Sequence, residues 1–253
     1  MRIYLKIAIC FSSLIILNSS CKKDDAKPTS VGSSAPYGLA HYSNLYGALI
    51  AGKIVDFTSP SFSDTSYNGA AVFYNSPQTN LIITAANTTT VTSVSLNNVQ
   101  LYLASPAANI YIYGDTVTNL NLSRVNWHVL GTGSIPSFTH SQIDNYPSFS
   151  GFAQLPDTIN IGQNIPLKII GGLGADSLAL IITSGNNKYQ TPNLAGATTS
   201  YTIAQANVTN LTTTTTGKIT VTYEKISIQY LSTKNFVFMK TLQFNKQVVI
   251  INQ

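Results

Sequence analysis

The chain reads as an all-β protein, with two antiparallel β-sandwich domains in tandem. Three observations predict this. From Tyr37 onward no stretch repeats apolar residues at a helical period. Short runs rich in Val, Ile, Thr, Tyr and Phe recur instead, punctuated by Gly, Pro and Asn. Only 9% of the 253 residues are charged, against about 25% in ordinary globular chains. Solubility therefore rests on Ser, Thr, Asn and Gln, a surface chemistry suited to life outside the cytoplasm.

The elements follow in chain order. Arg2 and Lys6 precede an apolar run, Ile7–Leu17, that is shorter than the roughly 20 residues needed to span a bilayer. Small polar residues, Asn18-Ser19-Ser20, then lead to Cys21. Residues 1–20 thus have the layout of a secretory signal peptide. The ending Leu17-Asn18-Ser19-Ser20-Cys21 resembles the lipobox of bacterial lipoproteins, with Asn18 where that family usually has Leu. The resemblance implies that Cys21 receives diacylglycerol and becomes the mature N-terminus. The following Lys22-Lys23-Asp24-Asp25 resembles the charged signal that sends Bacteroidetes-type lipoproteins to the cell surface. Residues 21–36 lack apolar periodicity and read as a flexible lipidated stem.

The first β-domain is expected over 37–147. Candidate strands are Leu49–Phe57, Ala70–Tyr74, Leu81–Ala85, Thr90–Leu96, Val99–Leu103, Asn109–Tyr113, Val117–Leu122 and Arg124–Leu130. Asn97-Asn98 supplies a two-residue hairpin turn, because Asn tolerates left-handed backbone. In Arg124–Leu130 the alternation puts Val125, Trp127 and Val129 on one face and so sends the only Trp into a core. Gly131–Pro147 reads as a hinge. The second domain, 148–253, is expected to hold strands at Thr158–Ile161, Ile165–Ile170, Ser177–Thr183, Ser200–Ile203, Lys218–Leu231 and Phe236–Ile251, spaced as in a sandwich. Gly171–Asp176 lacks the GxGxxG spacing and a following helix, so it reads as a turn. The segments Val94–Leu101, Val125–Gly131 and Ile135–Phe138 together resemble a family of Bacteroidetes surface lipoproteins. The resemblance implies an N-terminal β-domain followed by an Ig-like β-sandwich domain, on the outer membrane and exposed at the cell surface.

Several chemistries lose their footing. Everything after Cys21 is free of thiols, which excludes disulfides, zinc–thiolate sites and cysteine nucleophiles from the folded body. Without Arg2 and Lys6 the net charge of +5 falls to +3, and the basic residues are scattered, so nucleic acid is not an expected partner. His41, His128 and His140 lack ligand spacing, and neither a metal nor a cofactor is expected. His140, Ser141 and Asp144 read as polar turn residues. Glu224 is the single Glu, on a strand where Thr222 and Lys225 read as solvent-facing. Asp56, Asp64, Asp115, Asp144, Asp157 and Asp176 are assigned to strand ends and turns.

Asp115-Thr116-Val117, Asp157-Thr158-Ile159 and Asp176-Ser177-Leu178 each resemble the O-glycosylation sequon of Bacteroidetes secreted proteins, which marks Thr116, Thr158 and Ser177 as candidates. The alternative is an Asp closing a turn before a strand. With 14 Tyr and 10 Phe, sugar stacking is open too: Tyr37, Tyr42, Tyr46, Tyr111 and Tyr113 are candidates, with Tyr111 and Tyr113 foremost. The expected role is a non-catalytic, lipid-anchored envelope protein of structural or interaction type. It meets the membrane through its lipid and engages glycans or other envelope proteins. Carbohydrate binding is the first alternative and a glycan-processing hydrolase the second.

Overall fold

The computed structural model describes residues 44–59, 62–79, 83–105, 109–113, 124–149, 154–169 and 171–253. Expectations for the leader, Cys21, the stem, Tyr37, His41 and Tyr42, and for Thr116 and the strand over 117–122, lie outside the described residues.

Within them the chain is all-β. The first half contains β1 (Leu45–Ser59), β2 (Phe62–Gln78), β3 (Thr88–Thr89), β4 (Ser93–Leu96), β5 (Val99–Gln100), β6 (Tyr102–Ser105), β7 (Ile110–Tyr113), β8 (Val125–Leu130) and β9 (Phe138–Gln142). The second contains β10 (Ser148–Phe149), β11 (Thr158–Asn160), β12 (Ile165–Lys168), β13 (Gly171–Leu173), β14 (Ser177–Ser184), β15 (Asn187–Gln190), β16 (Leu194–Ala195) and β17 (Ser200–Ile203). Two long strands close the chain, β18 (Thr214–Leu231) and β19 (Lys234–Ile251).

The organising element is an 11-stranded sheet, ordered β15-β14-β18-β19-β1-β2-β7-β6 with β11, β16 and β3 attached. Strands from both sides of residue 147 share it. β1 lies parallel to β19, from Gly47 opposite Phe236 to Phe57 opposite Lys246. The division expected at residue 147 therefore does not cut the sheet, and the pairing is not wholly antiparallel. Nor is Gly131–Pro147 a hinge throughout, because Phe138–Gln142 forms β9, antiparallel to β8. The strand expected over Leu81–Ala85 also differs: residues 85–87 form a turn, held by Asn87 Oδ1 accepting from Thr84 N–H at 2.9 Å.

One face of this sheet carries two cores in succession. Toward one end, Leu49, Phe73, Tyr111, Phe236 and Phe238 pack against Val94, Leu96, Trp127 and Val129 of the four-stranded sheet β5-β4-β8-β9. Toward the other, Val55, Tyr223, Leu242 and Phe244 pack against Ile159, Leu167 and Ile203, which belong to β11 and to the β12–β17 ladder. The alternation read in β8 is realised, with every second residue buried. Asn97 and Asn98 turn the β4–β5 hairpin at φ 49° and 66°.

Two lysines enter this apolar face from β19. Lys240 is 1% exposed. Its Nζ donates to Gln142 O at 2.9 Å and to Asp144 O, and it lies 5.4 Å from the Tyr146 ring centroid. Lys246 Nζ donates to Leu155 O at 2.6 Å and pairs with Asp157 at 2.8 Å. Buried carbonyls need donors, and these two side chains supply them where the chain crosses from one half to the other. Burial pushes the Lys240 amine below its ordinary value; nearby Asp144 opposes the shift and Lys225, opposite on β18, adds to it.

Trp127 is fully buried and donates from Nε1 to Gln142 Oε1 at 3.3 Å. Trp127→Ala is expected to cost about 3–5 kcal/mol of stability by opening a cavity, measured by urea unfolding.

Candidate functional site

The reverse face of the large sheet changes character along its strands. At one end it is apolar, with Ala48, Ile50, Ala70, Val72, Val237 and Met239 buried. Beyond Gly52 and Thr241, which are paired, it turns polar. Strict alternation does this. In β18, Ile219, Val221 and Tyr223 enter the core, so Lys218, Thr220, Thr222 and Glu224 take the opposite face. In β19, Leu242 and Phe244 enter the core, leaving Thr241, Gln243, Asn245 and Gln247 for the reverse face.

Register lines these residues into rows. Asp64 stands opposite Asp56, Asp56 beside Asn245, and Asn245 opposite Thr220. A directed hydrogen-bond network runs along the row. Thr220 Oγ1 donates to Asn245 Oδ1 at 2.7 Å, and Gln243 Nε2 donates to the same oxygen at 3.1 Å. Asn245 Nδ2 then donates to Asp56 Oδ1 at 2.6 Å. The amide of Asn245 is thereby fixed in orientation, and it fixes the Asp56 carboxylate in turn. Asp56, Asp64, Lys218, Asn245 and Gln247, with Thr216 and Phe57, line a cleft of about 480 Å3.

Carboxylates directly opposite each other on neighbouring strands repel. Lys218 offsets part of this: burial lowers its ammonium below the ordinary value, while the Asp56 charge pulls the other way. The result is a site of oriented acceptors, amide groups and one cation, suited to hydrogen-bonding a hydroxyl-rich or amide-bearing partner. Among the described residues, no three His, Cys, Asp or Glu side chains gather to hold a metal ion.

The structure rearranges the residues singled out from sequence. Asp56 and Asp64 lie within β1 and β2 rather than at strand ends. Tyr111 and Tyr113, the foremost sugar-stacking candidates, are 6% and 7% exposed in the first core, and Tyr111 Oη both accepts from Val91 N–H at 2.9 Å and donates to Val91 O at 3.0 Å. Neither ring offers the open face that stacking needs, so that expectation is corrected. Tyr46 is half-buried under the Lys234 ammonium, 3.7 Å from its ring centroid.

Ser177 is fully buried and donates from Oγ to Glu224 Oε2 at 2.7 Å. A hydroxyl so enclosed leaves no room for a glycan, which corrects its O-glycosylation candidacy. Thr158 is exposed on β11, beside the Asp157–Lys246 ion pair, and stays open to modification. Thr222 is buried rather than solvent-facing, Lys225 is half-buried, and Glu224 between them is buried too. His140 rests on Phe238 with ring centroids 4.0 Å apart, and Ser141 donates to Asn126 Oδ1 at 2.7 Å. Adjacent on β9, the two point to opposite faces, so they share no catalytic geometry. His128 is exposed on β8.

The signal for the polar face was present in the sequence. Four alternate polar positions in each of two successive strands cannot all be incidental when the intervening residues, Lys246 apart, are aliphatic or aromatic. Their union with Asp56 and Asp64 depends on the β1–β19 pairing, which no local pattern announces. A scan against protein-family models matches none, and a search of curated proteins finds no relative.

Glu224 gives the site a pH signature. Burial raises its carboxyl above the ordinary 4.5, and the Ser177 hydrogen bond opposes the shift. The folded chain therefore binds this proton more tightly than the unfolded chain. The group's contribution to stability is complete below pH 4.5 and is lost as pH rises toward the folded value. Glu224→Gln is expected to remove that loss, so the variant gains on the wild type as pH climbs from 4.5 to neutrality, measured by urea midpoints across pH. Parallel curves for the two proteins would exclude this account.

Proposed function

We propose that this chain is a non-catalytic, lipid-anchored cell-envelope protein of interaction type, exported and held at the outer-membrane surface through Cys21. The observation that carries the reading is the arrangement of the N-terminus. A basic start, a short apolar run and small residues end on a single Cys, ahead of a body with no other thiol. Acylation there supplies membrane affinity in proportion to the buried methylenes, so the folded body needs no apolar surface of its own for attachment. The likeness to Bacteroidetes-type surface lipoproteins with an Ig-like second domain supports the same reading, as does a surface rich in uncharged polar groups. In metabolic labelling with an alkyne fatty acid, the wild type is expected to take up label and Cys21→Ser to lose both label and membrane retention. An unlabelled wild type, or a variant that stays membrane-bound, would overturn the proposal.

A second reading, carbohydrate recognition, is favoured by the cleft at Asp56. Oriented carboxylate and amide groups on a rigid sheet match the paired donors and acceptors of vicinal hydroxyls, and rigidity spares the cost of ordering them on binding. On this reading the ligand sits at Asp56 and Asn245 rather than at Tyr111. A glycan array probed with the full chain is expected to show signal that Asp56→Ala abolishes. Binding indifferent to that substitution would remove the cleft from the account.

A further inference from the structure

β18 is partnered unequally along its two sides. Toward β19 it is paired over nearly its whole length. On its other side β14 pairs only from Lys218 to Glu224, so among the described residues Lys225–Leu231 has no strand partner along that edge. Asp176 ends the β14 ladder. Its N–H donates to Glu224 O at 2.8 Å, and its Oδ2 accepts from Ile226 N–H at 2.6 Å. That second bond fixes the direction of the backbone: the even residues turn their polar groups away from β19. Ile226 C=O and both groups of Ile228 and Tyr230 therefore face outward, with no partner among the described residues.

The side chains at this edge are apolar as well. Ile228 is 48% exposed and Tyr230 69%. Ile226 pairs with Met239 and Ile228 with Val237, both buried, so the edge continues the apolar half of the reverse face outward. Soluble chains normally blunt such an edge with charge, proline or a bulge. From Ser227 to Leu231 there is none of these.

We infer that Lys225–Leu231 is a pairing edge for a second copy of this chain, joined antiparallel about a two-fold axis at Ile228. Four of the five outward groups are self-complementary in that register, and Tyr230 C=O alone is left without a donor. Ile228 exchanges two hydrogen bonds with Ile228 of the second copy, and each Tyr230 N–H reaches the other copy's Ile226 C=O. The donor this arrangement leaves over, Ile226 N–H, is the one already held by Asp176. Lys225 then lies opposite Leu231, so no like charges meet, and Ile226, Ile228 and Tyr230 of both copies merge into one apolar strip. The inference does not depend on the anchor or on the cleft.

Sedimentation of the full chain tests it, carried to about 0.5 mM because a contact of this size is a weak one. The wild type is expected to approach twice the mass of a single chain. Ile228→Pro is expected to stay at the single-chain mass with an unchanged circular dichroism spectrum, since it deletes an outward donor that the fold itself does not use. A second measurement fixes the register. With Cys10→Ser and Cys21→Ser in place, Ile228→Cys is expected to oxidise to a covalent dimer, because opposed residues of this kind lie about 5.5 Å apart at Cα. Val249→Cys, exposed elsewhere on the sheet, is expected to form no covalent dimer. A wild type that stays monomeric, an Ile228→Pro protein that still dimerises, or a failure of Ile228→Cys to cross-link would each overturn the proposal.

Discussion

The fold depends on β19 being held on both sides along most of its length, antiparallel to β18 and parallel to β1. A strand flanked in this way has few free backbone groups and must satisfy two cores with one series of side chains. Its even positions do so: Phe236 and Phe238 serve the first core, Leu242 and Phe244 the second. Lys240 falls between them, at the place where one covering layer gives way to the next. There Gln142, the last residue of β9, and Asp144 beyond it turn their carbonyls toward Lys240. A cationic donor reaching from below meets both with bonds stronger than neutral ones. The chain can thus pass from half to half without leaving buried acceptors unmet, which explains how a lysine is tolerated in that interior.

The same alternation that builds the cores determines what remains outside. Odd positions of β19 have no second layer of described strands above them, and their character changes from Val237 and Met239 to Thr241, Gln243 and Asn245. A sheet face of hydroxyl and amide groups could be floppy. Here Thr220 and Gln243 both donate to one oxygen of Asn245, so its other end must donate, and it donates to Asp56. Orientation is inherited from the backbone register and not from long flexible side chains. Recognition by such a surface loses little conformational entropy.

How much of this was legible follows from the range of each interaction. The β8 alternation and the Asn97-Asn98 turn are local, and the structure realises both. The break after Leu231 is legible from the strand spacing, but its tight two-residue form is not, because Ser232 and Thr233 take left-handed backbone at φ 46° and 73° without the Gly or Asn that would announce it. Gly131–Pro147 reads as a hinge because Pro136, Tyr146 and Pro147 surround β9, a strand whose pairing is set by β8. Tyr111 and Tyr113 are sugar-stacking candidates by residue type alone, yet all four residues of β7 are buried; alternation loses its meaning in a strand buried on both faces. Ser177 fits a modification sequon equally well buried or exposed, and only its hydrogen bond to Glu224 decides. The parallel β1–β19 pairing, which brings Asp56 to Asn245 across most of the chain, leaves no local trace.

The two unabsorbed features of β18 lie at opposite ends of it, and this has a consequence. The cleft residues Thr216 and Lys218 precede Ile228 by enough extended chain to set them roughly 30 Å apart, so occupation of the edge leaves the cleft open. Antiparallel pairing puts directly opposed residues on the same side of the sheet, and Ile228 opposes itself. The two-fold axis must then stand perpendicular to the sheet, and both copies turn their polar faces the same way. A pair joined through this edge presents two identical clefts to a single surface. Any repeating ligand long enough to reach both would bind more tightly than one cleft allows, through effective concentration alone.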